Sequence, residues 1–267
     1  MILEPYTRLS GVVESFRWLL SREFSVLNGN THSTRWTGHH VEGWFCYLID
    51  KNAGGAKQKF YLCGRLDEAL MPLQNAPAIS SKFVGGNISF SDALDGYFHW
   101  TDTLLSDNSA LIYRRPCLTY PERERYLFKE IYPLVVINVA IEHLILDEIS
   151  ETRSILQQIE KIKVAKRFMY DVHFIDSLIK GDKDNMVKAI EGVASAKIHK
   201  PRQKVNPETG PWENELLSMA GITYTKLAWM YGYELEIKNP LVSIANELYP
   251  VKPFAHYEET YDFSKGE

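Results

Sequence analysis

The sequence predicts an all-α fold: one domain over residues 1–267, with about eight to ten helices packed as antiparallel hairpins and a short extended C-terminal tail. Three observations carry this. Apolar residues recur at helical spacing along most of the chain. Strand-like alternation is confined to "YELEI" at 233–237, too short to make a sheet by itself. Gly-, Asp- and Pro-containing breaks separate the periodic stretches as hairpin turns would. A finer division puts N-terminal helices in 1–120 and a helical core with its tail in 121–267.

Leu9, Val12, Val13, Phe16, Leu19, Leu20 and Phe24 define a first amphipathic helix ending near Asn28-Gly29. "NGNTHSTRWTGHH" reads as a loop. A second helix is expected over Val41–Asp50, a break at "NAGGAKQ", and a third helix over Gln58–Leu73. After the loose stretch "PLQNAPAISSKFVGGNIS", Ser89 or Ser91 can cap a helix carrying Phe90, Leu94, Phe98, Trp100, Leu104 and Leu105. "RRPCLTYPERE" breaks the pattern, and Pro121 suits a helix start. The most apolar run, Ile131–Leu146, is interrupted by Pro133, Asn138, Glu142 and His143. It falls short of the roughly 20 apolar residues of a membrane span, so it reads as a core helix.

One apolar stripe then runs from Ile155 to Ile179. Gly181 stops it, Asp182 caps the next helix, and Met186, Val187, Ile190, Val193 and Ala194 continue the pattern as an αα-hairpin. "HKPRQKVNPETGP" reads as a polar loop. A helix over Trp212–Tyr231 is apolar on more than one face and therefore central, with Gly221 admitting a close helix neighbour and Gly232 stopping it. The aromatic stretch beyond reads as a tail that closes the core.

Composition is that of a globular protein, 45% apolar and 24% charged. A net charge of −4 argues against direct nucleic-acid binding over the whole surface. Cys46, Cys63 and Cys117 form neither a disulfide framework nor a zinc pattern. No basic segment followed by an unbroken apolar stretch opens the chain, so a cytoplasmic location and no membrane partner are expected.

Chemistry-bearing residues are scattered. His32, His39 and His40 lack a metal-site spacing; His143 with Asp147, and His173 with Asp176, read as ion pairs. No nucleophile elbow or phosphate-binding glycine loop is present. The basic residues Lys197, Lys200, Arg202 and Lys204 read as a solvated face. Two stretches suit a protein interface, because carboxylates steer encounter and tyrosines anchor it. One is Glu142, Asp147, Glu148 and Glu151; the other is Tyr257, Glu258, Glu259, Tyr261 and Asp262.

"GITYTKLAWMYG" followed by "YELEIKNPLVSIANELYPVKPFAHYEETYDF", and before them "FIDSLIKGDKDNMVKAIEGV", resemble the C-terminal part of the immunity protein 49 family of bacterial polymorphic-toxin systems. The resemblance covers roughly residues 153–263 and is one of packing pattern. It implies a non-enzymatic protein, without cofactor or metal, that binds a cognate toxin domain and occludes its active site or substrate path. A cytoplasmic location would match a toxin acting there, such as a nuclease. A second copy of the chain is a further expected partner, since isologous dimers are common. Two other readings stand beside this one: a metal- or carboxylate-dependent enzyme on a helical bundle, and a helical adaptor.

Overall fold

A computed structural model of the chain describes residues 32–73, 99–117, 133–160, 165–205, 213–253 and 257–258, and among these every regular element is helical. Helix α1 (His32–Leu48) turns into α2 (Ala53–Leu73), and α3 (His99–Leu105) into the short α4 (Ser109–Arg114). The core helix α5 (Pro133–Ile145) turns into α6 (Ile149–Glu160). Helices α7 (Met169–Lys180) and α8 (Lys183–Ala194) form the next hairpin. They are followed by α9 (Ala196–Val205), the single turn α10 (Glu213–Leu216) and α11 (Met219–Met230). The chain then runs without regular structure to the short α12 (Pro240–Ser243) and a 3-10 turn at Asn246–Leu248.

Four hairpins turn at the same corner. A buried leucine lies three residues before a left-handed residue, and the next residue opens the following helix. The left-handed residues are Lys51 (φ 54°), Asp107 (φ 55°), Asp147 (φ 61°) and Gly181 (φ 70°). Their leucines are Leu48, Leu104, Leu144 and Leu178, all buried. In three corners the next side chain accepts a hydrogen bond from a free N–H of the first turn: Asn52 from Gly55 (2.9 Å), Asn108 from Leu111 (2.9 Å) and Asp182 from Asn185 (3.1 Å). In the fourth, Glu148 turns back to His143, Oε2 to Nδ1 2.5 Å.

One hydrophobic cluster runs from Trp44 of α1 through α5, α7 and α8 to Tyr249 beyond the last turn. Helix α11 is its centre, with every residue from Met219 to Ala228 buried. That accounts for its apolar character on all sides. Its close neighbour at Gly221 is α12: a β-carbon there would lie 2.6 Å from Val242 Cγ2. Gly232 (φ 81°) ends α11, and the Tyr233 N–H reaches back to the Ala228 carbonyl (2.8 Å). The tail closes the core as expected, with Val242, Leu248 and Tyr249 buried and the Tyr249 hydroxyl donating to the Val242 carbonyl (2.6 Å).

Several boundaries differ from expectation. The stretch from His32 to His40 is helical, and Asn52 caps a helix that already begins at Ala53. The stripe from Ile155 to Ile179 is not one helix: α6 ends at Glu160, and a 3-10 turn at Ala165–Phe168 leads into α7. Part of the polar stretch after Lys197 is helix α9, which contains Pro201; its buried Arg202 forms an ion pair with Asp171 that holds this segment on the core. The expected helix from Trp212 to Tyr231 breaks at Leu217-Ser218, where Ser218 caps α11. The segment at 233–237 forms neither helix nor strand. The expected helix over Leu9–Phe24, the loose stretch from residue 74 to 89, the first part of the helix expected after Ser89 or Ser91 (up to Phe98) and Pro121 lie outside the described residues.

Candidate protein-binding surface

Most of the charged groups drawn together are inside the fold. Lys226 of α11 is fully buried, with Nζ 2.5 Å from Asp107 Oδ1 and 2.8 and 3.1 Å from the carbonyls of Leu248 and Tyr249. Asp107 Oδ2 accepts from the Lys57 ammonium and from the Lys252 N–H (3.1 Å), and Lys57 also donates to the Lys252 carbonyl (2.8 Å). Two ammonium groups thus share one carboxylate, and tail carbonyls replace the water that the excess positive charge has lost. Burial pushes Lys226 down to about 8, against the opposing pull of Asp107.

Asp171, also fully buried, accepts from the Tyr224 hydroxyl (2.5 Å) and Arg202 Nη1 (2.6 Å), and the Arg202 guanidinium lies over Phe168. His40 Nδ1 sits 2.9 Å from both oxygens of Asp102. Burial first, then the Asp102 carboxylate, push the neighbouring Cys63 thiol well above its usual range. A protonated thiol in the core is a packing group. Among the described residues no three His, Cys, Asp or Glu side chains are arranged to hold a metal ion.

The surface gives a different picture at the α5–α6 corner. Among the described residues the large apolar or aromatic side chains left exposed are Tyr113 (58%), Tyr231 (39%), Leu146 (38%) and Val251 (49%). The first three belong to one region. The Tyr231 hydroxyl donates to the Leu144 carbonyl at the end of α5 (2.7 Å), which pins the end of α11 beside the corner. Partial burial, then Tyr113 and Asp147 acting electrostatically, push the Tyr231 phenol up to about 12, so it remains a neutral donor. Asp147, Glu148 and Glu151, at the corner and the start of α6, are exposed. The Asp147 carboxylate makes no hydrogen bond or ion pair among the described residues. Solvent-exposed tyrosines beside carboxylates combine apolar area with long-range attraction for a basic partner.

The expected interface residues divide in four. Asp147, Glu148 and Glu151 are at this corner, although His143 pairs with Glu148 and not with Asp147. Glu142 does not belong to the surface: it is buried on the inner side of α5, where Asn138 Nδ2 approaches its Oε1 at 3.4 Å. Tyr257 is half-buried, its ring 4.6 Å from that of Tyr61 and its hydroxyl donating to the Ser106 carbonyl (2.6 Å). Glu258 is exposed, and its backbone exchanges two hydrogen bonds with the Gln58 side chain, 3.0 and 2.6 Å. Tyr257 is therefore a fastening of the tail. Glu259, Tyr261 and Asp262 lie outside the described residues.

Tyr113 and Leu146 are the surface residues that sequence reasoning passed over, and Tyr231 entered it as the end of the central helix. No periodicity marks them, since each falls at or near the end of a helix. An open cleft of about 310 Å³ between α7 and α8 brings together His173 and Asp176 with Tyr170, Ser177 and Lys188. Asp176 is already paired with Lys180 (2.5 Å). Compared with protein-family models, with curated proteins and with solved structures, the chain matches none.

Proposed function

We propose that this is an immunity protein, which binds a cognate bacterial toxin domain and neutralises it by covering its active site or substrate path. The observation that supports the reading best is the exposed patch of Tyr113, Leu146, Tyr231 and Asp147 at the α5–α6 corner. Aromatic anchors beside carboxylates are the composition of a binding hot spot directed at a basic surface. A nuclease, whose substrate groove is basic, fits such a surface. The reading places the protein in the cytoplasm with a toxin that acts there. No described helix is long and apolar enough to cross a membrane.

The test is co-purification of the tagged protein from its native cell. The expected result is one stoichiometric partner containing a toxin domain. Tyr113→Ala and Asp147→Lys should each weaken that complex by roughly tenfold or more, as loss of a hot-spot contact does. Recovery of a bound metal or small molecule in place of a protein would favour the enzyme reading. Unchanged affinity in both variants would remove the corner from the interface.

A further inference from the structure

The interior of the fold shows complete a set of groups that the α5–α6 corner shows in part. Inside, Asp171 accepts from the Tyr224 hydroxyl and from Arg202, whose guanidinium lies over the Phe168 ring (4.8 Å). A second guanidinium, that of Arg115, lies over Trp100 (4.9 Å). This group is flat, weakly hydrated and forked, so it can cover an aromatic face while it binds a carboxylate. At the corner the carboxylate and the rings are present without the cation. The Leu144 carbonyl accepts from both the Tyr231 hydroxyl (2.7 Å) and the Asp147 N–H (3.0 Å), which sets that phenol beside the Asp147 backbone. Tyr113 comes near enough to raise the Tyr231 phenol electrostatically, as Asp147 does, and the 3-10 turn at Arg115–Cys117 packs on α5. Tyr113 and Tyr231 are exposed, and neither ring meets another ring or a cation among the described residues. Two nearby cations are already engaged: Arg114 donates twice to Glu68 (2.9 and 3.2 Å), and His143 pairs with Glu148 (2.5 Å).

We infer that Tyr113, Tyr231 and Asp147 form a receptor site for one arginine side chain of the partner protein, its guanidinium against the tyrosine rings and its N–H groups on the Asp147 carboxylate. The inference deepens the toxin-binding reading and rests on it. A lysine would meet the charge but has neither the flat face nor the fork. An apolar anchor would bury the rings and leave the carboxylate desolvated without a partner. A second copy of the chain is a poorer occupant. Pairing this corner with itself about a twofold axis brings Asp147, Glu148 and Glu151 towards the same three carboxylates, and against them α6 offers one basic residue, the exposed Arg153.

The test uses the toxin domain that co-purifies and reads its affinity. Tyr113→Phe keeps the ring face and should bind within about twofold of wild type. Tyr113→Leu keeps apolar bulk without that face and should bind roughly tenfold more weakly. Asp147→Asn suits the same left-handed backbone and should also weaken binding roughly tenfold. The double variant Tyr113→Leu/Asp147→Asn should lose less than the product of the two, because both side chains act on one cation. Changing a single toxin arginine to alanine should abolish the effect of each. The unfolding midpoints of Tyr113→Leu and Asp147→Asn should stay at the wild-type value, since both side chains are exposed. With toxin still bound, equal loss in Tyr113→Phe and Tyr113→Leu, no loss in Tyr113→Leu, or a fully multiplicative double variant overturns the arginine site and leaves the toxin reading standing. Failure to recover any toxin removes both. Self-association that Arg153→Gln abolishes would assign the site to a second copy and overturn the arginine of a different protein.

Discussion

At the α3–α4 corner the left-handed residue is Asp107, enclosed between Lys57 and Lys226; at the α5–α6 corner it is Asp147, in water. The backbone requirement is the same, and glycine meets it at least cost. A side chain there costs roughly 1–2 kcal/mol, somewhat less for aspartate. At residue 107 a carboxylate holding two buried lysines and the tail accounts for the choice. At residue 147 nothing among the described residues offsets it. Position alone therefore does not assign an aspartate its role; the groups facing it do. An aspartate kept at this cost with no internal partner is available to an external one.

Four substitutions test that contrast, and Asp107→Asn should have the largest effect. It leaves two buried ammonium groups with no anion and should cost about 3–5 kcal/mol, read by chemical denaturation. A loss below 1 kcal/mol would mean that the tail carbonyls suffice. The pH profile comes next. Lys226 titrates near 8 in the folded protein and near 10.5 unfolded, so between these values the unfolded chain holds a proton that the fold has released. Stability should therefore rise with pH from 8 upward, by at most roughly 3 kcal/mol from this group. The raised Cys63 and Tyr249 groups act oppositely above about 9 and 10. The clean measurement is wild type minus Lys226→Met from pH 7 to 9, and a flat difference would contradict the buried charge.

Tyr257→Phe keeps the ring on Tyr61 and removes the hydrogen bond to Ser106, with an expected loss of about 1 kcal/mol. Smallest, and of opposite sign, is Asp147→Gly. It should stabilise the fold by about 0.5–1 kcal/mol while weakening the proposed binding of a toxin. A destabilised Asp147→Gly protein would show that the two corners are alike after all.

The same contrast explains what was legible in the sequence. Gly181-Asp182 and Gly232 are recognisable because glycine announces a left-handed backbone. Lys51, Asp107 and Asp147 adopt that backbone with side chains that announce nothing, so three of the four like corners were not recognised as one motif. The burial of α11 and the tail that closes the core were legible in their apolar density. Helix α9 was not, because Pro201 reads as a breaker and the buried Asp171–Arg202 pair that overrides it spans 31 residues. Glu142 was misplaced for a related reason: in an acidic stretch a buried carboxylate and an exposed one have the same letter. The patch itself is assembled from α4, the α5–α6 corner and the end of α11, which only the fold brings together.

The clamp on Lys226 also has a consequence in time. Its carbonyl partners, Leu248, Tyr249 and Pro250, lie 22, 23 and 24 residues further along the chain. At a synthesis rate of roughly 5–20 residues per second, they follow the lysine by about one to five seconds. For that interval the hairpins ahead of α11 can fold and Asp107 is already made, but the lysine at its centre has yet to receive its carbonyl partners and gains by staying hydrated. The last layer of the core is thus set after translation has passed it, and the tail acts as the timer.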